Sequence, residues 1–350
     1  MNRIRRVTHV ILMLGLLLSS SVWATDDPDS TAAQKQKLCA PYLSAAFTPP
    51  VLKGPLRPEQ LRDCDEEALY YGIGRAADPA AALQCGYAQR AAGQGSLASM
   101  FRGPGVLSML YANGLGVPRD LDLARRFVCE NPWAALPEIE GRLADLDGRR
   151  RQAQGLTAAR FDLCDTGTSG LSAGTCAGRE ERLSSARRAH DLILLQKNWS
   201  PAARHAFAPL QSAYAAFVES RSGKEVDMSG TARNMFYFED RGRQEEQLLI
   251  NLRSFARNDF PQAGAADAAA ANTEMADRLV QLRAAATDGA QFGTITIQGI
   301  EQTQAAWLQA RQAWLDFAAV AWPKLSQDRV RWRLTRQRIG QLKGLERFTQ

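Results

Sequence analysis

Apolar positions recur at helical spacing along nearly the whole chain. The clearest run is residues 300–322, where Trp307, Ala310, Trp314, Phe317 and Ala321 fall three or four apart on one stripe, with Gln309, Arg311, Gln312 and Asp316 turned away from it. Such a stripe predicts a helix buried along one side. One hundred residues upstream the pattern returns as Phe207, Leu210, Tyr214 and Phe217. A second correspondence, at an offset of 93, maps Arg243, Gln244, Leu249 and Leu252 onto Arg336, Gln337, Leu342 and Leu345. The C-terminal half therefore reads as two copies of a three-helix unit, 158–257 and 265–350, whose helices keep their faces while a loop changes length. In the second copy the helices are expected over 267–287, 295–322 and 326–347; in the first, the middle helix follows a Ser200-Pro201 cap.

Upstream the punctuation changes to helix, glycine turn, helix. Gly72, Gly74, Asp78 and Ala82 map onto Gly114, Gly116, Asp120 and Ala124 at a period of 42, which predicts two helical hairpins over 57–132, each restarting at an aspartate cap. A polar helix with Leu136, Ile139, Leu143 and Leu146 on one stripe links them, over 133–157, to the C-terminal half. Residues 25–56 form a leader with a short helix over 32–46, ended by Pro49-Pro50 and Gly54-Pro55. The fold class expected is all-α: a short hairpin solenoid followed by two antiparallel helical units.

Residues 1–24 stand outside this pattern. Arg3, Arg5 and Arg6 precede an apolar run from Val10 to Leu18, and Val22-Trp23-Ala24 gives a small-x-small site, so a signal peptide cleaved after Ala24 is expected, and with it a periplasmic location. Its removal takes three arginines and no acid, lowering the formal net charge from +6 to +3. The apolar run is short for a spanning helix, and no later segment is long and apolar enough to be one. The six cysteines fit this compartment. Cys164 and Cys176, either side of a Gly/Ser/Thr segment ahead of a long helix, are expected to pair; Cys39, Cys64, Cys85 and Cys129 leave three pairings open, of which Cys64 with Cys85 would close one hairpin. No CxxC pair exists and only His190 and His205 follow the signal, so neither a metal nor another cofactor is expected.

Leu110, Tyr111, Gly114, Gly116, Val117, Asp120, Ala124 and Phe127 resemble a Sel-one-like repeat, the TPR-related hairpin; the first copy lacks the valine. The C-terminal half resembles the lysozyme-inhibitor LprI N-terminal family. Cys164, Cys176, Leu210, Gln211, Ala213, Tyr214 and Phe217 match its pattern in the first copy, and Gln312, Ala313, Trp314 and Phe317 in the second, which has no cysteine. What this resemblance implies is an exported protein-binding domain with lysozyme as a partner. A repeat scaffold assembling an envelope complex is the alternative that the hairpins imply.

An enzyme is not expected. His190 lies between Arg188 and the acid Asp191, His205 follows Arg204, and GTSG at 167–170 lacks the strand-turn-helix context of a nucleophile elbow. The glycine turns lack a following Lys-Ser/Thr for phosphate. One charged feature remains. The last helix carries Lys324, Arg329, Arg331, Arg333, Arg336, Arg338, Lys343 and Arg347 against Asp328 and Glu346, so Trp322, Arg329, Arg333 and Arg336 become candidate contacts for an anionic envelope polymer or a protein, with nucleic acid disfavoured.

Overall fold

A computed structural model describes residues 28–44, 46–48, 64–93, 100–151, 159–287 and 293–346. The expected signal peptide and its cleavage site lie outside the described residues. The regular structure of those residues is all-α, with no strand among them. The N-terminal helices are α1 (Pro28–Leu43), α2 (Glu66–Tyr71), α3 (Pro79–Ala92), α4 (Pro104–Asn113), α5 (Leu121–Glu130) and α6 (Leu136–Arg151). A 3-10 turn at Leu163–Thr166 leads to α7 (Gly170–Gln196), α8 (Pro201–Lys224), α9 (Arg233–Arg257), α10 (Ala265–Thr287), α11 (Ile297–Ala321) and α12 (Gln327–Leu345).

The two hairpins fold the same turn. Gly72 and Gly114 end their helices in the left-handed region, at φ of 77° and 65°, where a Cβ would be strained. Each turn is closed alike: the Asp78 N–H donates to Leu69 O (2.8 Å) and the Asp120 N–H to Tyr111 O (3.0 Å), and each aspartate side chain then caps the next helix. Around them Ala82, Phe101, Leu107, Leu110, Ala124 and Phe127 form a core that is closed to solvent. Cys39–Cys129 ties α1 to α5 across a separation of 90 residues, and Cys64–Cys85 ties the approach to α2 to α3. Of the three pairings left open by the sequence, the structure has this one.

The C-terminal half has one core, not two. Each copy lays its first and third helices side by side and in parallel: Gly170, Gly174 and Gly178 of α7 face Thr231, Asn234 and Phe238 of the α9 segment, and α12 holds α10 through Arg278–Glu346 (2.7 Å) and Lys343–Glu274 (3.0 Å). The middle helices α8 and α11 pack against each other, antiparallel, with Phe207 on Phe317 (5.5 Å between centroids) at one end and the Ser220 and Thr303 hydroxyls hydrogen-bonded (2.9 Å) at the other. Phe207, Tyr214, Phe217, Trp307, Trp314 and Phe317 are all buried there. The aromatic stripe of each copy is thus covered by the other copy, so the boundary near 258–264 divides the sequence but not the packing.

Beneath this seam lies a buried ion network. The Arg338 guanidinium donates two hydrogen bonds to Glu225 (2.5 and 2.7 Å) and one to Gln304 (2.9 Å), both side chains of the ion pair being closed to solvent. Arg221 bridges Glu225 (2.8 Å) to Asp240 (3.2 Å). Removing such charges from water costs several kcal/mol per ion, which these ion pairs and hydrogen bonds offset, although the Arg221 Nε is buried without a partner.

Candidate protein-binding groove

The basic last helix is largely engaged inside the molecule. Arg329 is 4 % exposed; it donates to Asn258 and to the carbonyls of Phe260 and Pro261 and stacks on the Phe260 ring at 4.0 Å, clamping the connection between the two copies. Arg336 is exposed but paired with Glu274, which also takes Lys343; Arg331 pairs with Asp328 (2.6 Å). Arg333 is half-buried, and its Nε is buried without a partner. Trp322 is half-buried as well, edge-on to Phe317 (5.2 Å) and Phe255 (6.1 Å), so it closes the end of the aromatic core. Trp322 and Arg329, expected as surface contacts, are therefore structural: a helix-end tryptophan finds aromatic partners, and an arginine finds backbone carbonyls left free by the α9–α10 connection.

An open cavity lies elsewhere, between α7 and α9, with a volume of about 510 Å³. Glycines set the spacing of the two helices that border it. A Cβ on Gly174 would come within 2.8 Å of the Asn234 Cβ, and one on Gly178 within 3.0 Å of the Phe238 ring, so the two helices approach as closely as they do only because these positions lack side chains. Met235, Phe238 and Gly242 of α9 and Cys176 of α7 give the groove apolar lining, while Glu180, Glu181, Arg188 and Glu239 supply its charges. Burial pushes the Glu181 carboxyl above the usual carboxylate range, despite its ion pair with Arg188 at 2.5 Å.

The upper end of α7 is fixed by the N-terminal body. Cys164–Cys176 pairs, as expected, but Cys176 sits in the second turn of α7, not ahead of the helix, because the Ser169 hydroxyl caps it earlier at Ser172 N (3.1 Å). Buried Glu138 of α6 accepts from the backbone N–H groups of Thr168 (3.1 Å) and Ser169 (2.9 Å). Burial opposes charge on Glu138, but hydrogen bonds from Ser172, Ser169 and Thr168 outweigh it and hold the carboxyl below its usual range. Arg179 then donates to Asp162 (2.6 Å) and to the Tyr71 hydroxyl (2.9 Å), and Arg182 pairs with Glu67. No local pattern marks Glu138, Asp162 or Arg179 for this role, because the contacts that fix α7 span 17 to 108 residues. The glycine spacing at 170, 174 and 178 was a visible signal for the close helix pair.

His190 and His205 are exposed on α7 and α8. Among the described residues no group of three or more His, Cys, Asp and Glu is placed to hold a metal ion, and no helix is long and apolar enough to cross a membrane. In comparison with known proteins, no family model, no curated protein and no solved structure matches this chain. The class of protein defined here is thus an all-α, three-disulfide chain with an open groove flanked by a disulfide-anchored helix.

Proposed function

We propose that this is an exported, periplasmic binding protein that receives a protein partner in the α7–α9 groove. The observation that carries the reading is the groove itself: an open cleft of about 510 Å³ with an apolar lining and a charged rim, held at one end by Cys164–Cys176. Clefts of this size and mixture suit a protruding apolar side chain flanked by polar contacts. Three disulfides support an oxidising compartment. The resemblance of the C-terminal half to the LprI N-terminal family makes lysozyme the first partner to test and protection of the envelope the role. Contact with an anionic polymer through the last helix is less favoured, because Arg329 and Arg338 are buried and Arg336 is paired.

The second reading is a Sel-one-like scaffold acting in an envelope complex, favoured by the identical turns at Gly72 and Gly114. Lysozymes of several types assayed by cell-wall lysis with the mature chain in micromolar excess separate the two. Inhibition that falls at least tenfold in Met235→Glu, with unchanged helical content, supports the groove; inhibition untouched by that change sinks the groove, and no inhibition of any lysozyme sinks the specific partner. Capture of envelope proteins that survives Met235→Glu but is lost on changing the exposed residues around Gly74 and Gly116 would favour the scaffold.

A further inference from the structure

The three disulfides sit in different surroundings. Cys39 (2 % exposed), Cys129 (5 %), Cys64 (7 %) and Cys85 (0 %) are all in the N-terminal core. Cys164 and Cys176 are half-buried, and Cys176 alone among the six lines the open groove. A disulfide is reduced by a thiolate that must reach one of its sulfurs, so access ranks these bonds before any other property does.

We infer that Cys164–Cys176 is a site of thiol–disulfide exchange, attacked at Cys176 Sγ from the groove by the thiolate of a protein dithiol. The incoming sulfur bonds to Cys176 Sγ, the Cys164–Cys176 bond breaks, and Cys164 leaves as a thiolate. The second thiol of the partner then attacks its own sulfur in the mixed disulfide and releases Cys176. Two electrons pass to this chain, two protons complete its thiols, and the partner dithiol becomes a disulfide. The attack requires the groove to be open, so a protein partner seated in it would shield Cys176.

The surroundings of α7 make the exchange local. With the bond open, the start of the helix is still held by Glu138 on Thr168 and Ser169, by the Ser169 cap, and by Arg179 on Asp162 and Tyr71. The other two bonds have no such opening, since reaching them requires the α1, α3 and α5 core to part. Reduction therefore divides into a fast step at one bond and a slow step tied to unfolding of the N-terminal body.

The experiment is graded reduction of the folded chain with a small dithiol, quenching with N-ethylmaleimide, and peptide mapping, with circular dichroism followed in parallel. Expected are labels on Cys164 and Cys176 at least about tenfold sooner than on the other four cysteines, with helical content retained. Labelling of Cys39, Cys129, Cys64 or Cys85 at the same rate, or loss of helix in step with the first label, overturns the inference. The direction of attack is read from two variants that each leave one free thiol. The Cys176 thiol in Cys164→Ser is expected to react with an aromatic disulfide probe about tenfold faster than the Cys164 thiol in Cys176→Ser; equal rates, or the reverse order, overturn the assignment to Cys176.

Discussion

Trp314 offers the most direct test of the shared C-terminal core. It is 1 % exposed, and its ring meets Tyr214 of α8 (6.5 Å), Phe255 of α9 (5.3 Å) and Phe317 of its own helix (6.2 Å), so two neighbouring helices lose contacts if it is truncated. Trp314→Ala removes all of this, and large-to-small changes at closed aromatic sites cost about 3–5 kcal/mol. Its Nε1, however, is buried and has no hydrogen-bond partner. An unanswered donor of this kind already costs the native state about 1–3 kcal/mol. Trp314→Phe keeps a ring, removes that donor and leaves a gap worth about 1–2 kcal/mol, so the two effects offset and the net change is within about 1 kcal/mol. The assay is urea unfolding of both variants followed by far-ultraviolet circular dichroism, compared at equal slope. A loss of 3 kcal/mol or more in Trp314→Phe, on this roughly 1 kcal/mol expectation, would show that the indole nitrogen is answered in solution. A loss below about 1 kcal/mol in Trp314→Ala would show that the α8–α11 seam is not the closed core described here.

Arg338→Met leaves Glu225 buried with Arg221 as its remaining cation, and is expected to cost about 3–5 kcal/mol in the same unfolding assay, a cost that the double change Glu225→Gln with Arg338→Met reduces. Gly174→Leu must push α9 away from α7, since even a Cβ would meet Asn234 at 2.8 Å; it is expected to weaken partner binding at least tenfold while the disulfide map stays unchanged. Burial, the largest cause in each case, raises the tyrosines at 70, 71 and 214, Tyr70 being pushed up to about 12. A phenol whose folded value is raised contributes stability that is complete below its ordinary value near 10 and is lost as pH rises toward the folded value. Phenolate absorbance should therefore show these rings silent through about pH 10–11 and ionising together with loss of helix above that range; ionisation of all seven tyrosines near 10 in a folded chain would contradict the burial.

Helix spacing is local, and so the sequence alone determined the all-α class, the glycine turns, the aspartate caps and the aromatic stripes. Each depends on residues within one or two turns of each other. The pairing of Cys164 with Cys176 was legible for the same reason, being only 12 residues apart. What covers a stripe is not local. The same apolar face at Trp307 and Trp314 serves equally in a unit that closes on itself and in one that closes on its copy, and only packing decided for the copy. The charges of the last helix were visible, but whether Arg329 meets solvent or three acceptors of the α9–α10 connection depends on a loop about 70 residues away. The α7–α9 groove was decided the same way. The glycines of the α7–α9 contact are plain in the sequence, yet the cleft beside them exists only once the two parallel helices are laid side by side.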